Sequence, residues 1–483
     1  MHPEIEAVLA GSTRYAVVQG DLREVLAGLP NFSFDAIACD PPYGFRFMGK
    51  SWDYDVPSVD IWRECLRVLK PGAPLVAFGG SRTYHRLACG IEDAGFELRD
   101  CLHWLYAKGF PKSQNIGLAI DKDVGAEREV VGSRVLTGNA AISTKDKGGT
   151  FGVQVGSIPA KEVPVTAPAT ALAEEWDGYG TALKPAYEPI VLARKPLDGT
   201  MAENVARWGV GGLAIDACRV GDGGQAKWSS PRGGIWITDP EAVGILQAAA
   251  AGRWPANLLL DEAAAEILDA EVGPRVSGVA VRHNGGGGQI MSGVGDQPYK
   301  PKPKLPDLGH MDGLTNPPYR PRRAHAAGAA IASRFFFCSK VSTWEREFGC
   351  EGLPLRSAGE VTEREDDSDG LESPRAGAGR TGGARNHHPT LKPVALTTWL
   401  ARLIMPPRGG RLLVPFAGAG SEMVGAMRAG WTTIVGIERE AEYVEIARAR
   451  LHRWSQVPAN VDPSESRPEP ADEKQANLFV GKP

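Results

Sequence analysis

The sequence predicts an α/β protein with a mostly parallel sheet, contributed by two regular blocks that flank a long irregular insert. Near each end, short apolar runs alternate with amphipathic stretches of helical length, which is the pattern of βαβ units. The apolar runs end at glycine or proline, as buried parallel strands do. Between the blocks, over roughly 125–180 and 220–385, the pattern dissolves into Gly, Pro, Ser and Thr, as in HNGGGGQIMSGVGDQPYKPKPKLP (283–306) and the acidic run TEREDDSDGLE (362–372).

Each element has a local reason. RYAVVQG (14–20) reads as a strand closing on Gly20-Asp21, and Leu22, Val25, Leu26 and Leu29 repeat at helical spacing behind it. FDAIACD (34–40) is a strand that must stop at Asp40-Pro41-Pro42-Tyr43, because proline cannot continue a central strand. VDIWRECLRVL (59–69) carries a helical stripe ended by Lys70-Pro71-Gly72, and APLVAFGG (73–80) is the next buried strand. AYEPIVLARKP (186–196) and RWPANLLLD (253–261) are apolar pieces within the irregular middle. After residue 389 come helix PVALTTWLARLI, strand GGRLLVPF, helix SEMVGAMRAG, strand TTIVGIE and helix EYVEIARARLHRW, before a Pro- and charge-rich tail. The organisation expected is 1–125 and 386–455 as two halves of one domain, 126–180 as an irregular insertion, 181–200 as a returning strand, 201–385 as a recognition insert and 456–483 as a disordered tail.

Composition narrows the class. The chain has 483 residues, 42% hydrophobic and 23% charged, enough for a substantial core. No run reaches the roughly 18–20 apolar residues of a membrane span, and MHPEIEAVLAGSTRYAV lacks the basic and apolar regions of a secretion signal. The seven cysteines are scattered without a CxxC pair, which favours free thiols in a cytoplasmic protein over a disulfide framework or zinc ribbon. Cys338, Cys350, His387 and His388 match no usual metal spacing, so no metal is expected. A net charge of −4 does not announce nucleic acid, and any such surface must be a local patch.

Two features carry chemistry. Ligands of open α/β sheets bind outside the carboxyl ends of the strands, where Asp40-Pro41-Pro42-Tyr43 lies. An aromatic amine has its lone pair delocalised into the ring. Making it nucleophilic requires acceptors for its hydrogens, and Asp40 with the Pro41 carbonyl offers two. The paired prolines stiffen the turn, and Tyr43 offers a face on which a planar base can stack. The copy of this theme at Asn316-Pro317-Pro318-Tyr319 follows no buried strand and reads as a loop. The second feature is Pro415-Phe416-Ala417-Gly418-Ala419-Gly420-Ser421, between a strand and a helix, where glycines admit a ligand close to the backbone. Glu438 follows at the end of the next strand, a usual place for an acid that holds a ribose hydroxyl pair. A nucleoside-type cofactor is therefore expected. HHPTLKPVAL (387–396) shows only a helix start with Thr390 as a potential cap.

Taken in order, GD (20–21), DPPYGF (40–45), HHPTLKPVAL, PFAGAGS (415–421) and GIE (436–438) resemble the β-class of DNA amino-methyltransferases. FMGKSWD (47–53) and SRFFFCSK (333–340) look like phage or prophage members of that class. The resemblance implies a seven-stranded methyltransferase sheet, circularly permuted, with S-adenosylmethionine as cofactor, double-stranded DNA as partner and a homodimer allowed. It makes Asp40, Pro41, Pro42 and Tyr43 the catalytic tetrapeptide. Phe416, Gly418, Gly420 and Ser421 line the cofactor, Glu438 binds its ribose, Asp21 contacts its adenine, and Thr390 with Lys392 flanks its methionine end. The chain departs from the class at Val414, where Asp is usual, and at Ser421-Glu422, where Thr-Thr is usual. The class associates DPPY with the N6 of adenine and SPPY with the N4 of cytosine, so adenine is favoured.

Alternatives from other classes are a methyltransferase for RNA or protein, which usually carries its motifs in the opposite order, and a catalytically inactive DNA-binding relative. C5-cytosine chemistry is excluded by the absence of a Pro-Cys dipeptide. PYKPKPKLP (298–306) and RPRRAH (320–325) are the segments suited to phosphate contact, and Lys50, Trp52, Trp104 and Lys108 are candidate walls around a flipped base. No restriction domain is evident.

Overall fold

A computed structural model describes residues 1–45, 53–107, 113–136, 161–220, 253–272, 336–339, 344–356, 383–458 and 461. The second Pro-Pro-Tyr copy, both basic segments, Lys50, Trp52 and Lys108 lie outside the described residues.

The strands are β1 (Tyr15–Gln19), β2 (Ala36–Cys39), β3 (Pro74–Phe78), β4 (Glu97–Leu105), β5 (Val130–Leu136), β6 (Lys161–Thr166), β7 (Tyr187–Arg194), β8 (Leu258–Asp261), β9 (Phe337–Ser339), β10 (Arg411–Val414) and β11 (Thr433–Glu438). The helices are α1 (Pro3–Leu9), α2 (Leu22–Ala27), α3 (Val59–Val68), α4 (Tyr84–Asp93), α5 (Ile116–Asp123), α6 (Ala171–Glu175), α7 (Met201–Trp208), α8 (Glu262–Val272), α9 (Trp344–Glu347), α10 (Val394–Leu403), α11 (Ser421–Ala429) and α12 (Ala441–Ser455). Nine strands form one sheet in the order β1-β11-β10-β2-β3-β7-β4-β8-β9. Only β7 runs antiparallel to its neighbours.

The last two strands of the chain are thus threaded between the first two, which is the spatial form of the expected permutation. Leu412 and Leu413 of β10 pair in register with Ala36 and Ile37 of β2. Both faces are covered, which explains the continuous apolar runs. Ala36, Ala38, Leu412 and Val414 face the core under α10, α11 and α12, whereas Ile37, Cys39, Leu413 and Ile437 face the core under α1 to α4.

Three expectations are corrected. The sheet has nine strands, not seven, because β8 and β9 of the insert add to the β4 edge, so part of 201–385 belongs to the main sheet. The stretch 126–180 contains the antiparallel strand pair β5 and β6 and the helix α6, and Asp121 ties the parts together by accepting from Arg128, Thr170 and the Ala169 amide. Thr390 caps no helix: Pro393 is the N-cap residue of α10. Among the described residues, no helix is long and apolar enough to cross a membrane, and no group of three or more His, Cys, Asp or Glu is arranged to hold a metal ion.

Candidate active site

A cleft of about 1200 Å³ opens along the carboxyl ends of β11, β10 and β2, and both α/β blocks line it. This is the position the sheet prescribes, since backbone and side chains leaving adjacent parallel strands converge there.

Asp40 follows β2, and its side chain is only 13% exposed. Its Oδ1 accepts from the Tyr43 hydroxyl at 2.7 Å and its Oδ2 from the Lys392 ammonium at 2.6 Å. Glu188, near the start of β7, stands across from this pair, accepting from the Tyr43 hydroxyl at 3.1 Å and lying 3.4 Å from Lys392 Nζ. Burial, with Asp40 and Glu188 nearby, raises the Tyr43 phenol well above its ordinary range, so it stays a donor. Burial pulls the Lys392 ammonium down, but Asp40 and Glu188 more than offset this and hold it charged above its usual value. Burial raises the Glu188 carboxyl although Lys392 opposes it.

The turn after Asp40 is fixed from below. Asp53, 3% exposed, accepts from the Tyr43 and Gly44 amides at 2.8 and 2.9 Å and from the Phe45 amide at 3.2 Å. Thr83 donates to the Tyr43 carbonyl at 2.6 Å. Pro41 and Pro42 line the cleft beside them.

On the other side, the Glu438 carboxylate accepts from the Gly418 amide at 2.7 Å and from the Glu440 amide at 2.9 Å. Burial raises this carboxyl, and these backbone donors oppose the shift. Gly418 has φ +48, and a Cβ there would meet His388 Nε2 at 2.7 Å, so glycine is required for close approach. Burial draws His388 down to about 3, leaving it a neutral ring whose Nδ1 lies 2.5 Å from the Thr390 carbonyl. Asp21 caps α2 through the Arg23 amide at 2.9 Å and reaches the rim of the cleft, and Phe416, partly buried, packs against Trp62 with ring centroids 6.1 Å apart.

No protein-family profile matches the chain. Similar solved structures include the M1.HpyAVI–SAM complex, 12% identical, covering 90% of this chain and 98% of that one, with a TM-score of 0.33. PvuII DNA methyltransferase (cytosine-N4-specific) is 12% identical, with coverage of 94% and 90% and a TM-score of 0.34. A Thermus thermophilus protein described as a DNA modification methylase, complexed with S-adenosyl-L-methionine, is 14% identical, with coverage of 92% and 96% and a TM-score of 0.31.

The cleft brings together Asp40, Pro41, Pro42, Tyr43, Asp21, Thr390, Lys392, Phe416, Gly418, Ser421 and Glu438. Gly420 is not among its lining residues: it is the N-cap residue of α11 at φ +76, and a Cβ there would meet Ala447 of α12 at 3.2 Å. Lys392 reaches the tetrapeptide, with its ammonium on Asp40. Trp104 is not a wall of the cleft but a core side chain, 8% exposed, while Tyr106 lines the cleft. Sequence reasoning missed Glu188, Asp53 and Tyr106. Glu188 left one trace, an acid in the otherwise apolar run AYEPIVLARKP.

Proposed function

We propose that this protein is an S-adenosylmethionine-dependent DNA methyltransferase that methylates an exocyclic base nitrogen, with adenine N6 favoured over cytosine N4. The supporting observation is the meeting of two distant motifs on one cleft: Glu438 and the glycine turn at one end, Asp40 and Tyr43 at the other. The residues fit the cofactor. Glu438 and the Gly418 backbone would hold the nucleoside, Asp21 and Phe416 would border its base, and Lys392 and Thr390 would lie toward its amino-acid end. When bound, the cofactor supplies an electrophilic methyl group on a sulfonium.

The chain supplies the acceptor chemistry. Asp40 and the Pro41 carbonyl take hydrogen bonds from the target amino group and weaken its conjugation with the ring. Tyr43 provides the stacking face, and the Asp53 clamp fixes both in position, so alignment rather than acid–base strength carries the rate. The cleft lies beyond the strand ends, and a base can enter it only out of the helical stack. DPPY, rather than SPPY, favours adenine. The expected domain roles are a catalytic half at 1–125, a cofactor half at 386–455 and target recognition within 201–385.

The test measures methyl transfer to DNA alongside cofactor binding. Asp40→Ala and Tyr43→Ala should each abolish methylation while S-adenosylmethionine still binds. Unchanged turnover in both variants would remove the assignment.

A further inference from the structure

One buried carboxyl group in the cleft is incompletely partnered. Glu422, in the first turn of α11, is 5% exposed and lines the cleft. Its Oε1 has no hydrogen-bond partner among the described residues, and its own amide donates to the carboxylate. A buried carboxylate oxygen without a donor costs about 1–3 kcal/mol or more, so such a group calls for a ligand. Burial and the neighbouring Asp40 push this carboxyl up to about 7, against the opposing pull of Lys392 and Arg450. Arg450 makes no bond to Glu422 where it stands: its Nη1 donates to the Ala419 carbonyl at 2.5 Å and Ser421 Oγ at 3.2 Å, its Nη2 reaches the Glu345 carbonyl at 3.5 Å, and its Nε has no partner among the described residues.

Topology says which part of a ligand lies there. The sheet order puts β10 between β11, which ends in Glu438, and β2, which ends at Asp40. Glu422 sits on the helix that follows β10, hence between the nucleoside end and the acceptor end of the cleft. Charge says what that part must be. The inner wall carries the carboxyls of Asp40, Glu188, Glu422 and Glu438, and the Lys392 ammonium there is taken up by Asp40 at 2.6 Å and Glu188 at 3.4 Å. A cationic group is wanted. Val414, at the end of β10, is apolar and fully buried, so the acid that follows this strand is Glu422, on the next helix.

We propose that Glu422 anchors the amino-acid arm of the cofactor by accepting a hydrogen bond from its α-ammonium group. This rests on reading the cleft as an S-adenosylmethionine site. Glu422 is then a binding residue, and its carboxylate is one half of a charge-assisted pair.

Three probes separate the outcomes in calorimetric titrations of Glu422→Gln, at a pH above 7. S-adenosylmethionine and S-adenosylhomocysteine both carry the α-ammonium, but only the first carries the sulfonium. Methylthioadenosine has neither. The variant should lose affinity for the first two alike, about ten- to a hundredfold, the range of a charged hydrogen bond, and bind methylthioadenosine within threefold of the parent. Glu422→Asp should retain part of the preference. The ligand-free Glu422→Gln protein should melt no lower than the parent, because an unpaired buried charge has been removed. Loss for S-adenosylmethionine alone would overturn the ammonium assignment in favour of the sulfonium. Equal loss for methylthioadenosine, or a lowered melting temperature, would overturn it in favour of a structural role. If the unaltered protein binds none of the three, the reading of the cleft itself falls.

Discussion

Replacing Lys392 with methionine should expose the electrostatic design of the site. Lys392 is 4% exposed; its ammonium pairs with Asp40 at 2.6 Å and Glu188 at 3.4 Å, and its charge also opposes the upward shift of Glu422. Methionine keeps the volume and removes the charge, leaving buried acids without their counter-ion. Breaking a buried pair in this way typically costs about 3–5 kcal/mol. The pH dependence carries the sharper information. The ammonium is held above its ordinary value, so its contribution is present below that value and is lost only at strongly alkaline pH. The acids behave oppositely. Glu422 sits at about 7 and Glu188 is raised even with Lys392 in place, and without it both rise further. Protonation relieves the unpaired charge as pH falls, so the cost should be full near pH 9 and should shrink as the pH is lowered toward about 5.5. Chemical denaturation of parent and variant across that range measures it. A cost below about 1 kcal/mol, or one flat with pH, would refute the claim that Lys392 neutralises this cluster.

Two further substitutions probe the walls on either side. Gly418→Ala places a Cβ 2.7 Å from His388 Nε2 at a φ of +48, a left-handed conformation that costs an L-residue roughly 1–2 kcal/mol. Thermal denaturation should show a loss of that order, and S-adenosylmethionine binding should weaken at least tenfold. Asp53→Ala strips the acceptor from the amides of Tyr43, Gly44 and Phe45, so kcat should fall about a hundredfold, the equivalent of one or two lost charged hydrogen bonds, with cofactor affinity unchanged.

Much of the central sheet was legible because its strands are buried on both faces. β2, β3 and β10 are nearly continuous apolar runs, and their burial is complete or nearly so. β4 escaped notice because its first half is polar and outward: Leu98, Arg99 and Asp100 are exposed before Leu102 and Trp104 turn inward. β8 was legible only as an apolar piece, since its place beside β4 is a long-range pairing with no local signature. The site divides the same way. Asp40, Tyr43, Gly418 and Glu438 sit at strand ends marked by proline or glycine. Glu188 and Asp53 are single acids with no motif, and their meaning comes from contacts across 145 and ten positions of sequence. Glu422 was visible as a departure from a pattern, but its unpartnered oxygen belongs to the fold.

The hydrogen bonds of Asp40 raise a question that the geometry also answers. On the proposed reading, Asp40 must accept from an incoming amino group while each of its oxygens already holds one donor, Tyr43 on one and Lys392 on the other. Vacating either oxygen would be costly if the displaced donor were stranded in a buried site. Glu188 removes that cost. It already lies 3.1 Å from the same hydroxyl and 3.4 Å from the same ammonium, so each donor can shift its weight to Glu188 without losing an acceptor. The exchange is nearly balanced in hydrogen bonds, and it leaves the charge of Lys392 paired throughout. On the proposed reading, a single acid on the antiparallel strand of the main sheet therefore lets the Asp40 carboxylate be satisfied in the free protein and still be available to substrate.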